Sequence, residues 1–147
     1  RFLIGVGANP GALNLDEEVR RLWAKIDNGA EYVFTQPVYD PAILHRFLDR
    51  AGKLPAPLLA GVCPLFSHRN AEFLHNEVPG MSIPAGIRAR MKEAGSGPAA
   101  QEAGVQIARQ ALAEVRGRVQ GAYIMPQFGK WELALRVLDG FIEKKAD

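Results

Sequence analysis

The chain has 147 residues, 48% of them hydrophobic and 23% charged, with a formal net charge of +2. That apolar content excludes intrinsic disorder, so small a charge argues against nucleic acid or an anionic membrane as main partner, and no apolar run approaches the ~20 residues of a membrane span. The single cysteine, Cys63, excludes an internal disulfide or a cysteine metal cluster and fits a reducing compartment, so the cytoplasm is the expected location.

The chain opens at Arg1, with no secretory leader pattern, and runs straight into Phe2–Ala8, which reads as a strand buried on both faces. A fragment of a longer protein is therefore expected. Asn9-Pro10-Gly11 closes the strand as a turn. Asn14, with Glu17 three residues on, predicts an N-cap in a variant capping box. Leu15, Val19, Leu22 and Ile26 then share a helical face, which Asn28-Gly29 ends.

The unit recurs. Tyr32–Gln36 is a strand closed by Pro37, and Asp40-Pro41 opens a helix with Ile43, Leu44, Phe47 and Leu48 on its apolar face, ended by Gly52. Pro57–Cys63 is a third strand closed by Pro64. Ser67 caps a helix carrying Ala71, Phe73 and Leu74, and Val78-Pro79-Gly80 breaks it. Pro84 opens a short helix through Met91, and Gly95-Ser96-Gly97-Pro98 is a linker-like loop. A long helix from about Ala99 to Arg116 presents Val105, Ala108, Leu112 and Val115. Ala122–Met125 is the fourth strand, closed by Pro126, and the last helix uses Trp131, Leu135, Leu138 and Ile142.

Four βα units imply a parallel sheet, either an open doubly wound sheet or half of a (β/α)8 barrel, since a whole barrel takes ~250 residues. Gly5 and Gly7 lie inside the first strand, so no Gly-x-Gly-x-x-Gly pyrophosphate loop follows it. In either architecture ligands bind at the carboxyl ends of the strands. Those ends carry amides, prolines and aromatics, which suit a flat, partly apolar organic ligand. No Ser-His-Asp set and no metal-ligand spacing can be assembled. His68 and His75 have no carboxylate at a ligand-like offset.

Each candidate has a plainer role beside the functional one. Gln36 can offer a donor and an acceptor to a heteroaromatic ring, or satisfy nearby backbone. Thr35 is read as a structural strand residue. Asn9 touches a ligand or shapes its turn. Lys25 meets a phosphate or complements the helix dipole. Glu18 and Arg21, three apart, are read as a solvated ion pair. Phe128 is read as pocket lining, Trp131 as core, His45 and His68 as surface, and Cys63 as an inert small hydrophobe.

Three strings carry more than their spacing. Glu18-x-x-Arg21-Leu22-x-x-Lys25-x-x-x-Gly29-Ala30-x-x-x-x-Thr35-Gln36-Pro37 resembles the methylenetetrahydrofolate reductase family, as do Asn70–Gly80 and Tyr123–Phe128. Asn70–Gly80 looks most like the reductase module of bacterial bifunctional proteins that also carry a homocysteine S-methyltransferase module. The resemblance runs from about Phe2 to about Ile142.

It implies an α/β fold, strands five to eight of a (β/α)8 TIM barrel. Residues 1–147 would be one partial domain lacking its N-terminal half. The implied activity is reduction of 5,10-methylenetetrahydrofolate to 5-methyltetrahydrofolate, with NADH or NADPH giving a hydride to FAD and folate taking it from the same flavin face. By that resemblance Gln36 would hydrogen-bond the pterin, Leu74 would lie against folate and nicotinamide, and Met125 and Phe128 would line the folate mouth. Asn9, Pro10, Glu18, Arg21 and Lys25 would hold FAD. Ala24 and Phe128 stand where other members carry arginines. The family's acid glutamate and flavin-side aspartate belong to the first half of the barrel, so no catalytic residue is assigned here, and Glu72, Glu77 and Glu102 are not promoted. A methyltransferase module N-terminal to the reductase and self-association through the open sheet edges are the remaining partner expectations. The alternatives are another TIM-barrel enzyme with a phosphate-bearing ligand, or a non-catalytic half-barrel interaction module.

Overall fold

Short apolar runs, each stopped by a proline, a glycine or a turn, pair into one parallel sheet. The computed structural model describes residues 1–142. Its strands are β1 (Gly5–Ala8), β2 (Tyr32–Pro37), β3 (Leu58–Val62) and β4 (Gly121–Ile124), in the order β1-β2-β3-β4. The helices are α1 (Leu15–Asp27), α2 (Pro41–Ala51), α3 (His68–Glu77), α4 (Ala85–Ala94), α5 (Pro98–Val115) and α6 (Trp131–Leu138). A four-stranded parallel sheet with its strands in sequence order and helices in the crossovers is the arrangement of half a (β/α)8 barrel. Among the described residues no helix is long and apolar enough to cross a membrane.

The two faces of the sheet differ. Val33, Leu58, Ala60 and Val62 are buried in the larger core cluster with Leu22, Leu44, Phe47, Val105, Leu112 and Val115, and Thr35 is buried on the same face. The alternate residues Tyr32, Phe34, Leu59 and Tyr123 point the other way and stay half-buried. On that face large residues lie over glycines of the next strand. A Cβ on Gly5 would fall 2.3 Å from the Tyr32 ring, one on Gly121 2.9 Å from Leu59, and one on Gly61 2.9 Å from the Tyr123 hydroxyl. Edge contacts of Phe34 with Tyr32 and Tyr123, at 4.9 and 5.2 Å between centroids, complete the layer.

The helix signals act as the sequence predicts at several ends. Asn14 accepts from the Glu17 N–H at 3.0 Å, Asp40 from Ala42 at 3.0 Å and Ser67 from Asn70 at 3.1 Å. The capping box is only half made, because the Glu17 carboxylate turns to Arg20. The long helix buries Val105, Ala108, Leu112 and Val115 as expected.

Four expectations are corrected. The first strand begins at Gly5, and Phe2, Leu3 and Ile4 are 94%, 71% and 51% exposed, because β1 is an edge strand with a neighbour on one side only. The last helix buries Leu133 and Val137, whereas Trp131 and Leu135 are exposed and Ile142 lies beyond the helix end. Leu133 and Val137, four apart, form the stripe that meets α5; Trp131 and Leu135 fall on the opposite side. Phe73 leaves the α3 core stripe for solvent. Finally, His68 faces Glu72 one turn on, at 3.6 Å. Among the described residues no three metal-ligating groups come together.

Candidate functional site

The carboxyl ends of β1 and β2 and the α1 helix enclose one cleft of about 370 Å3, lined by Asn9, Glu18, Arg21, Lys25, Gln36 and Tyr123 among others. Its shape comes from α1, which follows β1 after the loop 9–14. Lys25 reaches back along that helix and donates to the Gly7 carbonyl at 2.7 Å. Arg21, one turn earlier, is exposed. Neither cation forms a salt bridge among the described residues, so the cleft keeps a positive wall.

Glu18 does not pair with Arg21. It is 8% exposed, and its Oε1 accepts from the Asn9 N–H at 2.8 Å. A buried carboxylate is thereby spent on holding the β1–α1 turn. Asn9 continues that turn: its Oδ1 accepts from the Gly11 N–H at 3.0 Å, and its carbonyl accepts from Ala12 at 3.1 Å. Pro10 is buried beside it.

Gln36, next to last in β2, is exposed at the rim. Thr35 fixes it from behind. Thr35 is 2% exposed, its Oγ1 accepts from the Gly61 N–H at 2.9 Å, and its hydroxyl donates to the Gln36 carbonyl at 2.8 Å. The β2–β3 register shifts between Phe34 and Pro37, and Thr35 supplies the partner that the irregular ladder leaves out. The Tyr123 hydroxyl donates to the Thr35 carbonyl at 2.6 Å, and burial holds that phenol above its ordinary value. Across the rim Gly80, at φ +81, lets the α3–α4 loop approach Asn9 and Gln36. A Cβ there would lie 3.2 Å from Asn9 Nδ2 and 3.9 Å from Gln36 Nε2.

A second pocket of about 390 Å3 lies after β3 and β4, lined by Phe66, Ser67, Arg69, Asn70, Phe73 and Phe128. Phe128 is 71% exposed and meets Phe66 edge-on at 5.1 Å. Met125 closes the β3–β4 ladder through its N–H to Val62 at 2.9 Å and is 36% exposed. Leu74 is 8% exposed and packs in a second core cluster with Tyr39, Cys63, Leu65, Ile83 and Met91. Cys63 is 5% exposed, as a small buried hydrophobe should be.

The structure thus gathers Asn9, Pro10, Glu18, Arg21, Lys25 and Gln36 at one end of the sheet. Phe128 and Met125 stand after β4 and Leu74 beneath α3. Sequence reasoning missed the Glu18–Asn9 bond and the contact of Asn70 with Gln127 at 2.6 Å, since partners nine and 57 residues apart leave no local signal.

Glu72 and Glu102 are each tied to an arginine. Burial opposes ionisation of Glu72, but hydrogen bonds from Arg88 and Asn76 outweigh it and hold the carboxyl below its usual range. Gln106 and Arg136 do the same for Glu102. A general acid at neutral pH needs the opposite shift.

Among curated proteins no match is found. One solved structure, an uncharacterized protein from Clostridium thermocellum that binds two copies of 5-methyl-5,6,7,8-tetrahydrofolic acid, superposes with a TM-score of 0.72 at 21% identity. The match covers 94% of this chain and 52% of that one, so this chain spans about half the length of the relative and shares its fold. The family model for methylenetetrahydrofolate reductase matches residues 2–125. With most of its length matched, the chain belongs to the methylenetetrahydrofolate reductase family.

Proposed function

We propose that this chain is the carboxyl-terminal half, strands five to eight, of a barrel that reduces 5,10-methylenetetrahydrofolate to 5-methyltetrahydrofolate with NAD(P)H through FAD. The observation that carries the reading is the cleft at the ends of β1 and β2. There, two cations without carboxylate partners stand beside the exposed amide of Gln36. The folate ligands of the Clostridium thermocellum protein support the same choice of substrate.

The donor set fits a dinucleotide's pyrophosphate. Lys25 and Arg21 give charge-assisted bonds to phosphate oxygens, and Glu18, committed by one oxygen to Asn9, offers the other to a ribose hydroxyl. Bound FAD supplies the two-electron carrier between nicotinamide and folate. Gln36 presents both a donor and an acceptor to the pterin edge. Thr35 and Tyr123 hold its backbone, and the Glu18–Asn9 bond holds the turn opposite. The aromatic pocket receives the aryl part of folate, with Phe66, Phe73 and Phe128 as walls and Met125 at the mouth. Leu74, on α3, is the apolar contact with folate and nicotinamide in this reading. The acid that completes reduction belongs to the other half of the barrel. A fused methyltransferase module, a cytoplasmic location and self-association stay with this reading as expectations.

Gln36→Ala tests it. In the intact protein we expect folate-dependent NAD(P)H oxidation to fall about tenfold or more, from loss of a bidentate polar contact, with flavin content and flavin reduction by NAD(P)H retained. Unchanged folate kinetics would overturn the assignment of Gln36.

A further inference from the structure

Asn70 at the start of α3 and Gln127 after β4 are joined by a 2.6 Å hydrogen bond from Asn70 Nδ2 to Gln127 Oε1. Both amides are otherwise engaged inside the protein. Asn70 is 8% exposed; its Oδ1 accepts from the Phe66 N–H at 3.1 Å, and its own N–H donates to Ser67 Oγ at 3.1 Å. Gln127 Nε2 lies 3.2 Å from Cys63 Sγ, to which it donates. One pair of side chains therefore ties the β3 and β4 loops to each other and to the end of β3.

The next residue, Phe128, has φ 55° and ψ 30°. Among the described residues it is the one non-glycine residue with positive φ. A bulky side chain avoids that region unless the surroundings over-determine it. Burial does not do so, because the ring is 71% exposed. What constrains it is the anchored residue before it, the edge contact with Phe66, and Gly129 after it at φ 67°.

We infer that the Asn70–Gln127 pair is a latch that sets the left-handed backbone at Phe128, and through it the fit of the aromatic pocket to the aryl part of the substrate. Both amides are positioning residues: they act through Phe128. The inference rests on the folate reading above for its functional half, and on the geometry alone for its structural half.

The test has two readouts in the intact protein. The first needs no folate: limited chymotrypsin digestion, with cleavage after Phe128 followed by mass. Gln127→Ala should speed that cleavage about tenfold, since local opening governs proteolysis. Unchanged cleavage overturns the latch whatever the substrate is.

The second is steady-state kinetics with 5,10-methylenetetrahydrofolate, with flavin reduction by NAD(P)H as the control. Gln127→Ala and Phe128→Ala should each raise KM about tenfold with kcat within about twofold. In the Phe128→Ala background the Gln127 substitution should add nothing. Gln127→Glu keeps the acceptor for Asn70 and should retain most of the affinity, which guards against a variant that merely folds badly. If Phe128→Ala raises KM and Gln127→Ala does not, or if the two effects multiply in the double variant, the latch falls and the folate reading stands. If folate is turned over and neither variant moves KM, the aromatic pocket does not hold the substrate and the positioning role is refuted. If faster cleavage accompanies a protein that reduces no folate, the folate reading and the positioning role fail together, and only the structural latch survives.

Discussion

Replacing Thr35 by valine isolates the hydroxyl that anchors Gln36. Valine keeps the β-branched shape and the strand preference, so what is lost is two hydrogen bonds in a residue only 2% exposed. The Gly61 N–H, on a buried residue, loses its acceptor at 2.9 Å, and the Gln36 carbonyl loses its donor at 2.8 Å. An orphaned buried donor costs about 1–3 kcal/mol and the second bond about 0.5–1.5 kcal/mol, so the intact protein should lose about 2–4 kcal/mol. Equilibrium urea unfolding reads this as a midpoint lowered by about 1 M or more. Thr35→Ser keeps the hydroxyl and gives up one methyl, and it should recover most of the loss. A valine variant within about 0.5 kcal/mol of the parent, or a serine variant as unstable as the valine one, would refute the reasoning.

Three further outcomes follow from the same geometry. Gly104→Ala would place a Cβ 1.8 Å from the Leu65 carbonyl oxygen; because the obstacle is backbone, α5 must move off the β3–α3 loop, and unfolding assays should show a loss of about 3 kcal/mol. Lys25→Met should weaken retention of FAD about tenfold or more, as expected for one charge-assisted bond, measured by titrating apoprotein with the flavin. Asp16 is held below its ordinary 3.8 by the hydrogen bond and charge of Arg50, which joins α1 to α2 at 2.5 Å. Its folded pKa being the lower, the bond's contribution is present above pH 3.8 and lost as pH falls through the depressed value. Asp16→Asn should therefore flatten the stability decline in that acid window, and added salt should shrink the difference.

Much of the fold was legible because its signals are local. Pro37, Pro64 and Pro126 lie at or just past the ends of three strands, and the caps at Asn14, Asp40 and Ser67 work through bonds to residues two or three positions on. The burial of β1 was not legible, because whether Phe2, Leu3 and Ile4 are covered depends on a neighbouring strand and not on their own run. The face of α6 was misread for the same kind of reason. Trp131 and Leu135 are as apolar as Leu133 and Val137, and only the position of α5 decides which stripe is buried.

The candidate site divides along the same line. Gln36 and Lys25 stand out because strand ends and last helical turns are where ligands and cations belong. The roles of Glu18 and Asn70 depend on partners nine and fifty-seven residues away. Glu18 in particular carried a local signal for an ion pair with Arg21, and burial beside the β1–α1 turn overrode it. Phe128 gave no sign of its left-handed backbone, since nothing in Gln-Phe-Gly demands that conformation of a phenylalanine.

The most direct test of the account is the visible spectrum of the intact protein, taken anaerobically through two additions. We expect an oxidised flavin spectrum that NAD(P)H bleaches and that 5,10-methylenetetrahydrofolate then restores, with 5-methyltetrahydrofolate as the product. A protein that holds no flavin, or whose reduced flavin is untouched by the folate, would contradict it.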